Sequence, residues 1–108
     1  MDEKRYLELA HETFERVLRA FDDVDVEAAD LESAGDVLSV ACRDGVRIVM
    51  NTQRPAREIW LAGAARAWHF GWDEGRARWV DPKHEGAELE ATLAELVRTH
   101  AGVELRLR

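Results

Sequence analysis

The chain has 108 residues, of which 46% are apolar and 34% charged, the balance of one globular domain over 1–108 rather than of a disordered or fibrous chain. Its net charge of −7 is carried entirely by residues 1–32, which hold eleven acids against four bases, whereas 33–108 hold eleven of each; a field of that sign repels nucleic acid and anionic membranes and attracts cations or basic protein surfaces. No apolar run approaches the roughly 18 residues of a membrane span, residues 1–5 lack a signal core, and the lone Cys42 excludes an internal disulfide and an all-cysteine iron–sulfur site.

Residues 3–21 predict an amphipathic helix. Tyr6, Leu9, Ala10, Phe14, Val17 and Phe21 recur at three- and four-residue spacing, with Glu8, Glu12 and Glu15 on the wet face and Asp2 placed to cap the start. The period then changes. Residues 37–43 and 46–51 are β-rich and meet at Asp44-Gly45, a strong hairpin signal. Pro55 interrupts, and strands are expected at 58–62, 67–72 and 76–80, with a turn at 73–75. Short strands separated by turns argue for an antiparallel meander rather than βαβ units. A second helix is expected at about 85–101, with Leu89, Leu93, Leu96, Val97 and His100 inward, acids at its start and Gly102 at its stop, followed by an alternating tail at 103–107. The order predicts an α+β fold, a two-layer α/β sandwich with both helices on one face of an antiparallel sheet and the other face open.

The densest chemical feature is 22–32, where Asp22, Asp23, Asp25, Glu27, Asp30 and Glu32 stand with no base among them. Carboxylates at a helix C-terminus oppose the dipole and repel one another, and a bound cation relieves that cost. All-oxygen ligands favour hard cations over zinc or copper. An EF-hand is excluded: counted from Asp23, Ala28 stands where the loop needs glycine and Ala34 where it needs a bidentate glutamate. What remains is an open carboxylate set suited to weak, exchangeable binding, or an acidic face that is only solvated. Trp60 is the second feature, since with Ile59 and Leu61 turned to the helices it must stand on the open face as a candidate protein-contact anchor. His69 reads as a structural strand residue, and His11, His84 and His100 have no metal spacing with one another or with Cys42. Cys42 alternates with Leu38 and Val40 as a core residue, and no nucleophile triad, phosphate loop, dinucleotide fingerprint or basic-aromatic patch is present.

Residues 51–62, Asn-Thr-Gln-Arg-Pro-Ala-Arg-Glu-Ile-Trp-Leu-Ala, resemble the signature of the frataxin family in its bacterial CyaY branch, Asn-x-Gln-x-Pro followed by aliphatic-Trp-aliphatic-small. Phe21-Asp22-Asp23, the Asp-Gly hairpin, His69-Phe70 and Ala101-Gly102 extend the likeness along nearly the whole chain. The resemblance implies an α-β-α sandwich with five or six strands and weak, exchangeable binding of Fe²⁺ and Fe³⁺ at a ridge formed by the end of helix 1 and the first strand. Carried to this chain, the ridge is Asp22, Asp23, Asp25, Glu27, Asp30 and Glu32. It further implies contact with a cysteine desulfurase and an iron–sulfur scaffold through a sheet surface holding Asn51, Gln53 and Trp60, with a role as iron donor, regulator or both. A cytoplasmic bacterial protein is expected, a monomer with iron-dependent oligomers left open, and no nucleic-acid or membrane partner. One departure stands out: Leu18 and Arg19 occupy the last turn of helix 1, where many family members carry acids, and Glu15 is the candidate substitute one turn earlier.

Two other readings stay open. A ferroxidase-type, iron-oxidising or storage role needs iron held near a dioxygen path, and the Glu-x-x-His pairs of dedicated di-iron proteins are missing. A metal-independent interaction module would use the acidic face only to bind basic partners.

Overall fold

The computed structural model describes residues 1–107. Helix α1 spans Glu3–Ala20, seven strands follow as β1 (Ala29–Ala34), β2 (Val37–Cys42), β3 (Arg47–Gln53), β4 (Glu58–Gly63), β5 (Arg66–Asp73), β6 (Arg78–Asp81) and β7 (Ala87–Glu88), and α2 spans Leu89–Ala101. The strands form one antiparallel sheet in chain order. No helix among the described residues is long and apolar enough to cross a membrane.

The two-layer α+β architecture is the expected one. Period-2 alternation turns Leu38, Val40, Ile48, Met50, Ile59, Leu61, Trp68 and Phe70 to one face, where they are buried under the helices. Each such side chain contributes about 1.5–3 kcal/mol relative to exposure. From above, α1 supplies Tyr6, Ala10, Phe14 and Val17, and α2 supplies Leu89, Leu93, Leu96 and Val97. Cys42 lies in this core, with its thiol pushed above its ordinary value by burial and by Asp44.

Polar pins fix α1 on the sheet. Asp2 accepts from the Arg5 N–H at 2.8 Å as N-cap. The Tyr6 hydroxyl donates to the Glu58 carbonyl at 2.6 Å. Thr13, buried on the same stripe, donates to the Leu9 carbonyl and accepts from the Trp79 indole N–H at 2.9 Å. Its hydroxyl is why the helix carries a polar residue inside the core.

Several boundaries differ from the expectation. Residues 29–34, inside the acidic run, form β1, because Ala29 and Leu31 pack inward while Asp30 and Glu32 point away. The sheet therefore has seven strands, the last a two-residue pair to β6. The second helix starts at Leu89 instead of near 85, since Asp81-Pro82 opens a 3₁₀ turn and Glu85 and Gly86 take left-handed backbone that no helix continues. Arg76 and Ala77 belong to the β5–β6 turn, with Ala77 at φ 54°. Phe21 caps α1 and Leu9 is only half-buried. Gly102 stops α2 in the left-handed region at φ 69°, as expected, and its N–H donates to the Arg98 carbonyl.

Candidate functional site

Alternation that buries one set of side chains leaves the other on the sheet face away from the helices. Register turns that face into rows. Ala34, Val37, Asn51, Trp60 and His69 are successive partners across β1 to β5, and Glu32, Ser39, Val49, Ala62 and Ala67 form the next row. Asp30, Ala41 and Arg47 begin a third. The expected partner-contact residues are therefore brought together: Asn51 lies opposite Trp60, and Gln53, two positions along β3, lies opposite Glu58.

Trp60 stands on the open face, half-buried, while Ile59 and Leu61 are buried beneath it. Its indole N–H donates to Glu58 Oε1 at 2.9 Å, and its ring stacks on His69 with centroids 4.1 Å apart and planes 12° from parallel. The tryptophan is thus held in one orientation by its hydrogen bond and its stack. His69 is a strand residue, as read, but its ring is exposed on the open face and shares the aromatic patch. Opposition to Trp60 one strand over was the signal for it, and only the β4–β5 register reveals that opposition.

Behind His69 lies a buried carboxylate. Asp81 is 2% exposed and accepts from the His69 N–H at 2.9 Å, the Lys83 N–H at 2.9 Å and the His84 ring at 2.8 Å. Burial acts to raise its pKa, but those three donors and the charge of His84 outweigh it and hold the group below its ordinary value.

The acidic residues divide into three places. Asp30 and Glu32 project from β1 onto the open face, three strands across from Trp60 and four and two positions along from its row. Asp22, Asp23, Asp25 and Glu27 are exposed in the turn after α1, where Asp25 Oδ1 accepts the Glu27 N–H at 2.9 Å. Glu15 stands apart beside His11 Nε2 at 4.0 Å, in the groove between α1 and the β1–β2 hairpin. No three His, Cys, Asp or Glu side chains converge into a metal-holding group among the described residues. The donors are oxygen-rich and exposed, so they fit a hard cation held loosely at the surface and offer no closed cage.

The departure at Arg19 has a local consequence. With Asp23, Asp25, Arg43, Glu104 and Arg106 it lines a cleft of about 560 Å³ between the end of α1, the following turn and the C-terminal tail. Bases therefore stand among the acids at the upstream end of the ridge.

A model of the frataxin-like domain matches residues 1–103. The chain belongs to the frataxin-like family. Among its relatives are proteins named iron-sulfur cluster assembly protein CyaY. One from Pseudomonas fluorescens (strain Pf0-1) is 35% identical over 104 residues, covering 96% of this chain and 93% of that protein. Another, from Azotobacter vinelandii, is 33% identical over 105 residues, covering 97% and 94%. Among solved structures, frataxin from Psychromonas ingrahamii shares the fold, with a TM-score of 0.86 at 18% identity over 100% of this chain and 99% of that one. Trimeric frataxin from the yeast Saccharomyces cerevisiae, solved complexed with ferrous iron, superposes with a TM-score of 0.58 at 25% identity over 95% and 88%. The family's sandwich carries this chain's acidic corner and aromatic row on the same open face.

Proposed function

We propose that this frataxin-like chain is an iron-binding accessory protein of iron–sulfur cluster assembly, acting as iron donor or regulator on a cysteine desulfurase–scaffold complex. The observation that carries the reading is the continuity of one face: the Asp30–Glu32 corner of β1 and the preset Trp60–His69 stack lie on a single open sheet surface in a member of this family. The names of the relatives support the pathway, and the ferrous complex of the yeast protein supports iron as the cargo.

The mechanism is electrostatic and exchangeable. Carboxylates of Asp22, Asp23, Asp25, Glu27, Asp30 and Glu32 lower the local potential and hold Fe²⁺ or Fe³⁺ through few direct oxygens, with water completing the shell. Loose binding suits delivery, because a cation in a closed cage would not leave. The same charge steers a basic partner surface onto the ridge, while Asn51, Gln53 and Trp60 supply the short-range contacts. Glu15, in the groove between α1 and the β1–β2 hairpin, stands off the open sheet face and contributes only to the field.

Affinity for the desulfurase–scaffold complex, measured by titration calorimetry at low and high salt, tests the docking step. The reading expects affinity to fall steeply with salt and to fall further in an Asp30→Asn/Glu32→Gln variant. Affinity independent of salt would remove the ridge from the docking surface. One observation favours a metal-independent interaction module as second reading: the absence of a converged three-ligand group among the described residues. In that case Ca²⁺ and Fe²⁺ act only by screening and are interchangeable.

A further inference from the structure

We propose that the free edge of β1 takes up an extended segment of the partner, with basic and apolar side chains in alternation, as an eighth strand of the sheet. The proposal rests on the docking reading above and deepens it by giving the form of the contact.

The sheet closes one of its edges and leaves the other open. At the closed edge β7 is two residues long and runs directly into α2. At the open edge β1 pairs with β2 alone, through six residues in unbroken register and without proline. Ladder alternation fixes which groups that edge exposes. The Arg43 N–H donates to the Ala28 carbonyl at 3.0 Å, so Ala28 faces β2, and at two-residue steps Asp30, Glu32 and Ala34 do the same. Leu31 and Ser33 therefore turn their N–H and C=O groups away from β2, and no other described group bonds them. An edge of that kind is a template for a further strand.

The two sides of the edge differ in chemistry, and together they specify the occupant. On an added strand, the residues opposite Asp30 and Glu32 stand on the open face beside two carboxylates, where opposite charge is favoured across strands and like charge is not. The residues opposite Leu31 and Ser33 turn toward the helices. There a groove of about 510 Å³ runs between α1 and the β1–β2 hairpin, with Leu7, Phe14, Leu18 and Leu38 among its walls and Ser33 beside them. Leu31 packs half-buried on the core next to it. A strand that alternates lysine or arginine with aliphatic residues satisfies both sides at once. The same carboxylates disfavour a second copy of this chain, because two β1 edges paired about a two-fold axis set acids against acids.

The test uses the whole chain, with amide spectra, amide hydrogen exchange and calorimetry. The probe is a capped hexapeptide of alternating lysine and valine. One control has the same composition in blocks, and another is the alternating peptide N-methylated at its valines, whose N–H groups face β1 in the proposed register. The alternating peptide is expected to slow exchange at Leu31 and Ser33 about tenfold and to shift amides of β1 and of Leu7, Phe14 and Leu18. Both controls are expected to bind about tenfold more weakly, the scale of one or two lost hydrogen bonds. Ser33→Pro removes an outward N–H without touching charge, at an exposed position where proline breaks no internal hydrogen bond. That variant is expected to lose about tenfold in affinity for the peptide and for the desulfurase–scaffold complex. If its unfolding midpoint falls, the N-methylated peptide on the parent chain makes the comparison. Equal binding of the three peptides, or protection and shifts away from β1, overturns the proposal. Complex affinity that falls in Asp30→Asn/Glu32→Gln and is untouched by Ser33→Pro also overturns it, and leaves the docking reading standing. Complex affinity untouched by either variant, with the peptide still adding to β1, counts instead against the docking reading and supports the edge as a strand-addition site.

Discussion

Two buried polar side chains, Thr13 and Asp81, decide whether the helices and the β5–β6 strands stay together. Thr13→Val keeps the shape and leaves the Trp79 indole N–H without an acceptor, so it should lower stability by about 2 kcal/mol, read as a lower denaturant midpoint at unchanged slope. Asp81→Ala strands the His69 and Lys83 N–H groups and should cost about 3 kcal/mol. The acid limb of stability reports the same carboxylate. Because its folded pKa lies below the ordinary 3.8, its contribution is fully present above that value and is lost as pH falls through the lower folded value. The Asp81→Asn variant should therefore be less stable at neutral pH and lose less between pH 5 and pH 2 than the parent. Trp60 behaves oppositely, since it lies outside the core. Trp60→Ala should cost the fold only about 1 kcal/mol, the value of its stack, and the partner affinity about thirtyfold, the loss of a central aromatic anchor. Equal losses in both measurements would make Trp60 a structural residue.

At the scale of elements, the turns divide into those the sequence announces and those it conceals. Asp44-Gly45 joins β2 to β3 as read, with Gly45 at φ 93° and Asp44 accepting the Val46 N–H at 3.0 Å. That turn is latched to the end of α2, where His100 meets Asp44 at 2.7 Å; the expected inward residue is a half-buried clasp. The β4–β5 turn has no such chemistry. Ala64 and Ala65 both take positive φ, 53° and 62°, where a Cβ is strained and Asn-Gly is the usual pair. An Ala64→Asn/Ala65→Gly variant should gain about 1–2 kcal/mol in thermal or denaturant unfolding, and no gain would mean that the turn is relaxed by its surroundings. The same contrast explains what was legible. Helix 1, both strands of the Asp-Gly hairpin, the outward aim of Trp60 and the helix stop at Gly102 follow from local period and turn residues. Strand β1 was hidden because its outward acids merged with the acidic turn before it, and only Ala29 and Leu31 marked an inward face. The start of α2 was misplaced because Glu85 and Glu88 look like helix-opening acids until the left-handed backbone at Glu85 and Gly86 is seen. The grouping of Asn51, Trp60 and His69 depends on register across three strands, which no local pattern carries.

For the whole molecule, the excess of negative charge in residues 1–32 becomes a spatial asymmetry. It spreads over the turn after α1 and the open-face corner of β1, with the helix-covered core behind. Self-repulsion there weakens the fold, so a hard cation should stabilise it by about 2.7 kcal/mol at a hundredfold excess over its dissociation constant, read as a higher unfolding temperature. High monovalent salt should reproduce part of that rise by screening. The central claim is that this corner handles iron, and the most direct test is an anaerobic titration of isotope-labelled protein with Fe²⁺, followed by amide spectra, with Ca²⁺ as control. The account predicts paramagnetic broadening concentrated at residues 22–32, with amides around Glu15 and on α2 spared. Broadening spread evenly over the surface, or confined to sites away from β1 and the turn before it, would contradict it.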